Sequence, residues 1–255
     1  MRAVILAAGY ATRLYPLTKD TPKCLLEVGG RSILDRIVDK VTALGGAEEI
    51  VIVTNAKFYG KLKEWVAKQG TDLDSGSDPG SRSVPITVLN DGTTSNENRL
   101  GAIGDLQFAI DKRRITGELL LLASDNLFDQ GLAGFVAFAR SKQSAVCMAL
   151  HDIGDPKLAA GKYGVIEIHP SGEVFRMEEK PMEPRAGTIG MGVYYFPKTA
   201  LPLVKRYLSS GKAGDAPGFF MKWLVGKTDL FGYPLKGMWY DIGDLNALEE
   251  ARKRI

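Results

Sequence analysis

Cysteine and histidine are both scarce in this chain of 255 residues, which contains only two of each. The cysteines, Cys24 and Cys147, lie far apart and show no metal-binding spacing, so we predict two reduced thiols and no zinc site. The histidines, His151 and His169, are isolated residues and form no cluster with the cysteines. The sequence therefore offers no Ser–His–Asp or Cys–His arrangement for nucleophilic catalysis.

Long apolar runs are also absent. No run reaches the ~18 residues of a membrane span, and the N-terminal stretch MRAVILAAG is too short for a signal-peptide core with a cleavage site. The net charge of +3 is too small to indicate nucleic acid or an anionic membrane as a partner. We expect a cytoplasmic protein that binds neither nucleic acid nor membrane, with a modestly basic surface suited to phosphate-bearing small molecules.

Apolar runs of strand length alternate with segments of helical period in the first part of the chain. Residues 70–83 interrupt this pattern, and their Gly, Ser and Pro content predicts a flexible loop. Such alternation is typical of a parallel sheet wrapped by helices. The predicted strands are 3–8, 50–53, 86–89, 118–123 and 145–150, and the predicted helices are 32–44, 58–68, 100–112 and 135–141.

The pattern becomes richer in β-structure after residue 150. Alternating residues at 164–169 and 174–178 flank a Pro-Ser-Gly turn and predict a hairpin. A strand at 193–196 and helices at 201–208, 219–225 and 245–254 complete the chain. We therefore predict a single domain over 1–255 of the α/β class. It has a Rossmann-like mixed, mostly parallel sheet with helices on both faces, a first part at 1–150 and a smaller β-rich part at 151–255, with no hexapeptide-repeat domain.

Small residues follow the first predicted strand, together with the cations Arg13 and Lys23. Small residues let a backbone approach a ligand closely, and loops after parallel strands face the ligand crevice. Spacing alone leaves two interpretations open: an anion-binding loop, or a tight turn with two surface cations. The small residues are Ala7, Ala8, Gly9 and Ala11.

Two familiar phosphate loops fit this stretch poorly. The Walker pattern is absent, and the dinucleotide fingerprint needs three spaced glycines where only Gly9 is present. Pro16 and Pro22 argue against a helix directly after the loop. An oxidoreductase with a dinucleotide-binding domain is further disfavoured because the second strand ends in Thr54-Asn55 and not in an acid.

The stretch LAAGYATRLYPLTKDTPKCLLEVGG resembles the signature of the sugar-1-phosphate nucleotidyltransferases, or nucleotide-sugar pyrophosphorylases, with their choline-phosphate cytidylyltransferase relatives. It departs from their pattern at Ala11, where the family has a second glycine. The resemblance implies a nucleotide-diphospho-sugar transferase fold and a catalytic role for Arg13 and Lys23. The matching residues are Gly9, Thr12, Arg13, Leu14, Pro16, Leu17, Thr18, Pro22 and Lys23, and the implied nucleotide contacts in this loop are Leu6, Ala8, Gly9, Tyr10, Ala11 and Thr12.

Two aspartates are candidate metal ligands. Asp125 follows a strand in LLLLASDNLFD, where the residues alone favour a capping or turn aspartate. Asp241 precedes the last predicted helix, but Asp244 already suits that helix as N-cap, which leaves Asp241 without a structural task. The resemblance implies that both carboxylates bind Mg²⁺, an ion that prefers oxygen ligands. Trp239, Asp241 and Gly243 match the family's Trp-x-Asp-x-Gly motif, although Asp244 replaces its usual Thr.

The segment KYGVIEIHPSGEVFRMEEKP resembles the family's acceptor segment. By resemblance, Gly164 and Glu179 contact the acceptor, and Lys180 holds its phosphate as a third catalytic residue. Gly192 lies in GMGVYYF, like a glycine of the family's acceptor strand, but the family's preceding Asn is missing. The polar stretch 90–107 lies where the family recognises the base, with Asn96 and Gly101 as nucleotide-binding candidates.

The resemblance implies Mg²⁺-dependent nucleotidyl transfer from an NTP (CTP, UTP or dTTP) to a sugar 1-phosphate, with release of pyrophosphate. One alternative is cytidylyl transfer to phosphocholine or a similar phosphate or phosphonate, because the run Thr94–Asn96 leans toward that branch. Another is a non-catalytic subunit that senses nucleotide sugars, although the charged site residues are retained. Assembly into a homo-oligomer is left open.

Overall fold

The computed structural model describes residues 1–69, 84–211 and 215–255. The predicted loop at 70–83 lies outside these residues. The helices are α1 (Ile33–Thr42), α2 (Tyr59–Gln69), α3 (Ala102–Arg113), α4 (Ala133–Ser141), α5 (Leu201–Leu208), α6 (Pro217–Leu224) and α7 (Leu245–Arg254). The strands are β1 (Arg2–Leu6), β2 (Glu27–Val28), β3 (Arg31–Ser32), β4 (Glu49–Thr54), β5 (Ile86–Asn90), β6 (Leu119–Ala123), β7 (Asn126–Phe128), β8 (Val146–Asp152), β9 (Gly164–Ile168), β10 (Val174–Glu179), β11 (Thr188–Phe196), β12 (Leu230–Pro234) and β13 (Trp239–Asp241).

Nine of these strands form one mixed sheet. Strands β5, β4, β1 and β6 lie side by side and run parallel. Strand β11 is antiparallel to β6 and to β8, and β12 runs parallel to β8. The β9–β10 hairpin joins the sheet where β9 meets β11. The four parallel strands end at one edge, so the loops that follow them form a single rim, as expected for a ligand crevice.

Alternate residues of the central strands face two separate apolar cores, because successive side chains of a strand point to opposite faces. Ala3 and Ile5 of β1 pack in a core with α1, α2, α4 and α7. Val4 packs in a second core with α3, α5 and α6. The sheet is therefore covered on both faces, which confirms the predicted α/β class.

Local signals at the helix ends behave as the sequence predicts. Ser32 caps α1: its hydroxyl accepts a hydrogen bond from the Asp35 backbone N–H (3.0 Å), and the Asp35 carboxylate accepts one from the Ser32 N–H (3.1 Å). Asp244 caps α7 by accepting from the Ala247 N–H (2.9 Å). Helix α1 ends before the Gly45-Gly46 pair, as expected.

Five strands escape the periodicity analysis: β2 and β3, which have two residues each, and β7, β12 and β13. Strands β7 and β13 have three residues each and pair only with one another, outside the main sheet. Strand β12 contains a glycine and a proline, which weaken a local strand signal. Strand β11 is also longer than predicted, because Gly190 and Gly192 interrupt its apolar pattern. Among the described residues, no helix has the length and apolarity needed to cross a membrane.

Two carboxyl groups lie close together under the N-terminal turn of α3. Asp91 follows β5 and accepts hydrogen bonds from the N–H and the hydroxyl of Thr93 (2.7 Å each). Asp105, in the first turn of α3, is only 5% exposed. Burial and the neighbouring Asp91 raise the pKa of the Asp105 carboxyl to about 8. Asp105 Oδ1 and Asp91 Oδ2 are both buried, and a hydrogen bond between the two side chains adds to the shift, which favours the protonated form of the Asp105 carboxyl.

Because folding raises this pKa from the ordinary value of 3.8, the folded state binds the proton more tightly than the unfolded chain. The resulting stability is complete below about pH 4 and is lost as the pH rises through about 8. The free energy of unfolding should fall by up to about 1.4 kcal/mol per pH unit in the parent protein, and Asp105→Asn should reduce this slope. Urea unfolding between pH 5 and pH 8 measures it. Asp111→Asn, an exposed change on the same helix, should leave the slope unaltered, and an equal slope in both variants would contradict the assignment.

Candidate active site

The loop after β1 is fixed from below by the neighbouring strand β4. The Ala7 N–H donates to the Val53 carbonyl (2.8 Å), and the Thr54 hydroxyl donates to the Ala7 carbonyl (3.3 Å). The fully buried Asn55 donates its amide to the Ala8 carbonyl (2.9 Å). These bonds hold the backbone of the loop at the rim formed by the parallel strands.

Ala11 adopts a left-handed backbone, with φ 47° and ψ 43°. This region favours glycine, and an alanine there costs about 1 kcal/mol. The buried Thr18 stabilises the turn by donating its hydroxyl to the Ala11 carbonyl (2.7 Å). Ala11, which replaces the second glycine of the family pattern, therefore keeps a backbone conformation that glycine favours.

The remaining predicted nucleotide contacts of this loop surround Ala11. Leu6 ends β1 and is half-buried, whereas Ala8 and Tyr10 are buried, and Gly9 and Thr12 are exposed. A Cβ placed on Gly9 would meet no atom within 4 Å among the described residues, so open space lies above this part of the backbone.

After Ala11 the chain makes only a single 3₁₀ turn at Thr12–Leu14, as the prolines predict. Arg13 in this turn is exposed. The loop therefore presents backbone and a cation at the rim without building a regular helix there.

The two candidate metal ligands meet on a separate two-stranded ribbon. Strand β13 pairs antiparallel with β7 and places Asp241 opposite Asn126, directly beside Asp125. The Ile242 N–H donates to the Asp125 carbonyl (2.9 Å), which extends the pairing. The Trp239 indole donates to Asn126 Oδ1 (2.8 Å). This ribbon brings two segments more than 110 residues apart in the sequence to one point of the rim.

Like charges dominate the electrostatics of this ribbon. Burial and the neighbouring Asp125 raise the pKa of the Asp241 carboxyl to about 6, while the charges of Lys23, Arg13 and Lys180 act in the opposite direction. Lys23 Nζ lies 2.9 Å from Asp125 Oδ2. The other four predicted charged residues are therefore all within electrostatic reach of Asp241.

The carboxylate pair fits a divalent cation bound mainly by oxygen. Within 1–69, 84–211 and 215–255, no group of three or more His, Cys, Asp or Glu side chains converges in a metal-binding arrangement, so protein ligands would supply only part of an octahedron. Mg²⁺ commonly binds through one or two carboxylates together with waters and substrate phosphates. Asp241 accepts no side-chain hydrogen bond from any described residue, which leaves its oxygens available.

The second part of the chain contributes Glu179, a carboxylate held between two glycines. A Cβ added to Gly164 of β9 would lie 2.7 Å from Glu179 Oε2. One added to Gly218 of α6 would overlap the same oxygen. Burial raises the pKa of the Glu179 carboxyl, although Lys180 and Lys222 partly offset the effect. Only glycine at both positions leaves room for this side chain.

Gly192 also lies in the middle of the site, but a structural reason for it is evident. Its φ of 71° favours glycine, and a Cβ there would approach the Ala123 Cβ to 2.9 Å and Asn126 Nδ2 to 3.0 Å. Asn126 Nδ2 in turn donates to Asp125 Oδ1 (2.9 Å). Gly192 thereby makes room for the amide that orients Asp125.

The candidate base-recognition loop is organised by its own polar side chains. Asn98 accepts from the N–H groups of Thr94 and Ser95 (3.1 Å each). Asn96 Oδ1 accepts from Arg99 Nη1 (2.8 Å). Gly101 caps α3 with a φ of 77°, and its carbonyl accepts from the Asp105 N–H (2.8 Å). The loop thus connects the rim to α3 in a defined shape.

Comparison with known proteins identifies the family from which this arrangement comes. A family model described as nucleotidyl transferase matches residues 2–255. The chain belongs to the nucleotidyl transferase family. It is 31% identical over 196 residues to a UTP–glucose-1-phosphate uridylyltransferase, AglF, of Haloferax volcanii, covering 77% of this chain and 72% of that protein.

A second relative is the bifunctional protein GlmU of Methanococcus aeolicus, with 27% identity over 250 residues. That alignment covers 95% of this chain and 51% of the relative, so the chain spans about half the length of such relatives. In structure, it resembles a UDP-glucose pyrophosphorylase solved with UDP-glucose, with a TM-score of 0.79 and 19% identity, over 99% of this chain and 97% of that one. At this identity, the likeness supports the fold alone.

Three contributors to the site were missed by the sequence analysis: the supporting amides Asn55 and Asn126, and Gly218. Asn126 adjoins Asp125, so its position next to a strand-end acid was an available signal. The other two support residues that lie far from them in sequence. No local pattern in the sequence reveals such contacts.

The close contact between Gly218 and Glu179 predicts a specific steric cost. Gly218→Ala forces the end of the Glu179 side chain out of its present rotamer and should lower the free energy of unfolding by about 1 kcal/mol, measured by urea denaturation. In a Glu179→Ala background the same change should cost less than about 0.5 kcal/mol, because the overlapping oxygen is gone.

Gly60→Ala in helix α2 is the matched control, since a Cβ there meets nothing within 4 Å among the described residues. It should be neutral or stabilising by up to about 1 kcal/mol. An equal cost of Gly218→Ala with and without Glu179 would show that the carboxylate is not the obstacle.

Proposed function

We propose that this chain transfers a nucleotidyl group from a nucleoside triphosphate to a sugar 1-phosphate and releases pyrophosphate. The observation that supports this most strongly is the convergence of two carboxylates and three cations at one rim of the sheet. That charge distribution suits two phosphorylated substrates and a divalent ion. In this proposal, residues 1–150 bind the nucleotide and residues 151–255 bind the acceptor.

The loop after β1 binds the triphosphate in this mechanism. Its backbone approaches the phosphates where Gly9 leaves open space, and the left-handed turn at Ala11 directs the chain around them. Arg13 offers two donors to phosphate oxygens. Lys23, paired with Asp125, neutralises charge near the α-phosphorus. Asn96 and Gly101 contribute to the base side of the pocket.

The acceptor is held from the opposite side. Glu179, confined by Gly164 and Gly218, accepts hydrogen bonds from sugar hydroxyls, and Lys180 aligns the acceptor phosphate. An oxygen of that phosphate attacks the α-phosphorus in line, and the bond to the β-phosphate oxygen breaks as pyrophosphate leaves. The attacking oxygen is already anionic near neutral pH. No general base is needed, so positioning and charge neutralisation provide the catalysis.

Asp125 and Asp241 are the residues that would hold Mg²⁺. Bound there, the ion would neutralise phosphate charge and help to orient the two substrates. The neighbouring carboxylates repel each other, as the raised pKa of Asp241 indicates, and a divalent cation would remove that repulsion. The chemistry of this donor set therefore supports magnesium dependence.

The names of the relatives favour a sugar phosphate as acceptor over phosphocholine. AglF is named for glucose 1-phosphate and UTP, and other relatives are named for mannose 1-phosphate or for adenylyl transfer to glucose 1-phosphate. The bases differ among these proteins, so UTP is only the first candidate. The retained charged residues disfavour a non-catalytic, sensing role.

A substrate matrix tests the proposal directly. The matrix combines five nucleotides with four acceptors, and pyrophosphate release is measured in Mg²⁺ and in EDTA. The nucleotides are CTP, UTP, dTTP, ATP and GTP. The acceptors are glucose 1-phosphate, mannose 1-phosphate, N-acetylglucosamine 1-phosphate and phosphocholine. We expect turnover with at least one sugar 1-phosphate that EDTA abolishes. Turnover with phosphocholine alone would replace the sugar acceptor, and no turnover in any combination would refute the proposed activity.

Single changes in the charged cluster test the assigned roles. Asp125→Asn, Asp241→Asn and Lys180→Met should each lower turnover by about 10²–10³-fold, because each removes a charge aimed at the reacting phosphates. Unfolding midpoints should remain close to that of the parent protein. Asp229→Asn, just before β12 at the opposite end of the sheet, should keep normal turnover. Near-normal pyrophosphate release by all three site variants would exclude the mechanism.

A further inference from the structure

A paired arginine and aspartate connect the two sides of the proposed cleft. Arg99 Nε lies 3.2 Å from Asp215 Oδ1, and Arg99 Nη2 lies 2.9 Å from Asp215 Oδ2. Both carboxylate oxygens and two guanidinium nitrogens are engaged, which is the bidentate geometry that gives an ion pair directional strength. The two residues are 116 positions apart in the sequence.

Arg99 belongs to the candidate base-recognition loop. Its third nitrogen, Nη1, donates to Asn96 Oδ1 (2.8 Å), so one guanidinium binds both the loop and Asp215. Two residues later, Gly101 is the N-cap of α3. The position of Arg99 therefore depends on the conformation of the loop on the nucleotide side.

Asp215 stands at the entrance of α6, on the acceptor side. Only Ala216, the N-cap, and Pro217, the first helical residue, separate it from Gly218. Proline has a fixed φ, so this connection is short and stiff. Gly218 lies against the Glu179 carboxylate, which the proposed mechanism assigns to the acceptor. A displacement of Asp215 is thus transmitted to the wall that confines Glu179.

We propose that the Arg99–Asp215 pair is a strap that couples nucleotide binding to acceptor binding, with both residues acting as positioning residues. This inference rests on the proposed function. A nucleotide that orders the loop around Asn96 fixes Arg99, which holds Asp215 and the start of α6. Glu179 is then presented to the acceptor in one orientation.

The strap makes a reciprocal and modest contribution to binding. Coupling between two sites acts equally in both directions, so the acceptor must also tighten nucleotide binding. Arg99 and Asp215 are both exposed, with side chains 42% and 53% accessible, and exposed pairs change an equilibrium by about fivefold at most. Loss of the pair should change substrate affinity, because neither residue is placed at the reacting phosphates.

Initial rates over a grid of both substrates test the strap. The first probes are UTP and glucose 1-phosphate, followed by the most active pair of the matrix above. In the parent protein the KM for the acceptor should fall as the nucleotide concentration rises. Arg99→Ala and Asp215→Ala should each reduce this fall by up to about fivefold with kcat nearly unchanged.

The Arg140–Glu118 pair supplies a matched control. Its two nitrogens also contact a carboxylate, at 2.8 and 3.2 Å, but it joins the ends of α4 and β6 away from the rim. Arg140→Ala should leave the coupling unchanged. Coupling equal to that of the parent in both strap variants, or an equal loss in Arg140→Ala, would overturn the inference.

Hydrogen exchange separates failure of the strap from failure of the proposed function. The amides of 218–221 should exchange faster in Arg99→Ala than in the parent protein or in Arg140→Ala, without any ligand. Unchanged exchange there would overturn the mechanical link. Faster exchange together with no turnover on any substrate pair would refute the proposed function and the coupling built on it. Normal turnover with unchanged coupling would overturn the coupling alone.

Discussion

Repulsion between Asp125 and Asp241 is the constraint on which the rest of the site depends. Asp125 lies directly before β7 and Asp241 lies on its partner strand β13, where burial and the neighbouring Asp125 raise the pKa of Asp241 to about 6. The two carboxylates therefore need positive charge close by. Lys23 supplies it through a direct ion pair, and Arg13 and Lys180 add charge at longer range. In the proposed function, phosphorylated substrates and a divalent ion complete the charge arrangement of this cleft.

Holding those charges in place requires support that is mostly uncharged. Asn126 receives the Trp239 indole N–H and donates to Asp125, and Gly192 gives its amide room. Asn55 fixes the first loop in the same manner from β4. Each amide both donates and accepts, so it can be buried at the rim without adding to the charge. The strap proposed between the two sides adds an exposed pair to this buried framework.

Much of the fold was predictable from local pattern. Alternating short apolar runs and helical periods gave the parallel strands and their helices, since burial on both faces produces continuous apolar strands. The ribbon of β7 and β13 was not predictable, because three-residue strands have no measurable period and form only by pairing. In the site, one long motif match predicted Arg13 and Lys23, and separate short matches predicted Asp125, Lys180 and Asp241. Their roles stay predictions until the variants are measured.

The sequence alone determined the order of elements, the small residues after the first strand and the class of protein. These follow from periodicity, capping and motif, all of which are local in the chain. Only the tertiary structure decided that Gly218 confines Glu179, that Arg99 meets Asp215, and that Asp105 is buried beside another acid. The physical reason is that each depends on a contact between distant segments, whose distance and burial exist only after the sheet and helices have packed.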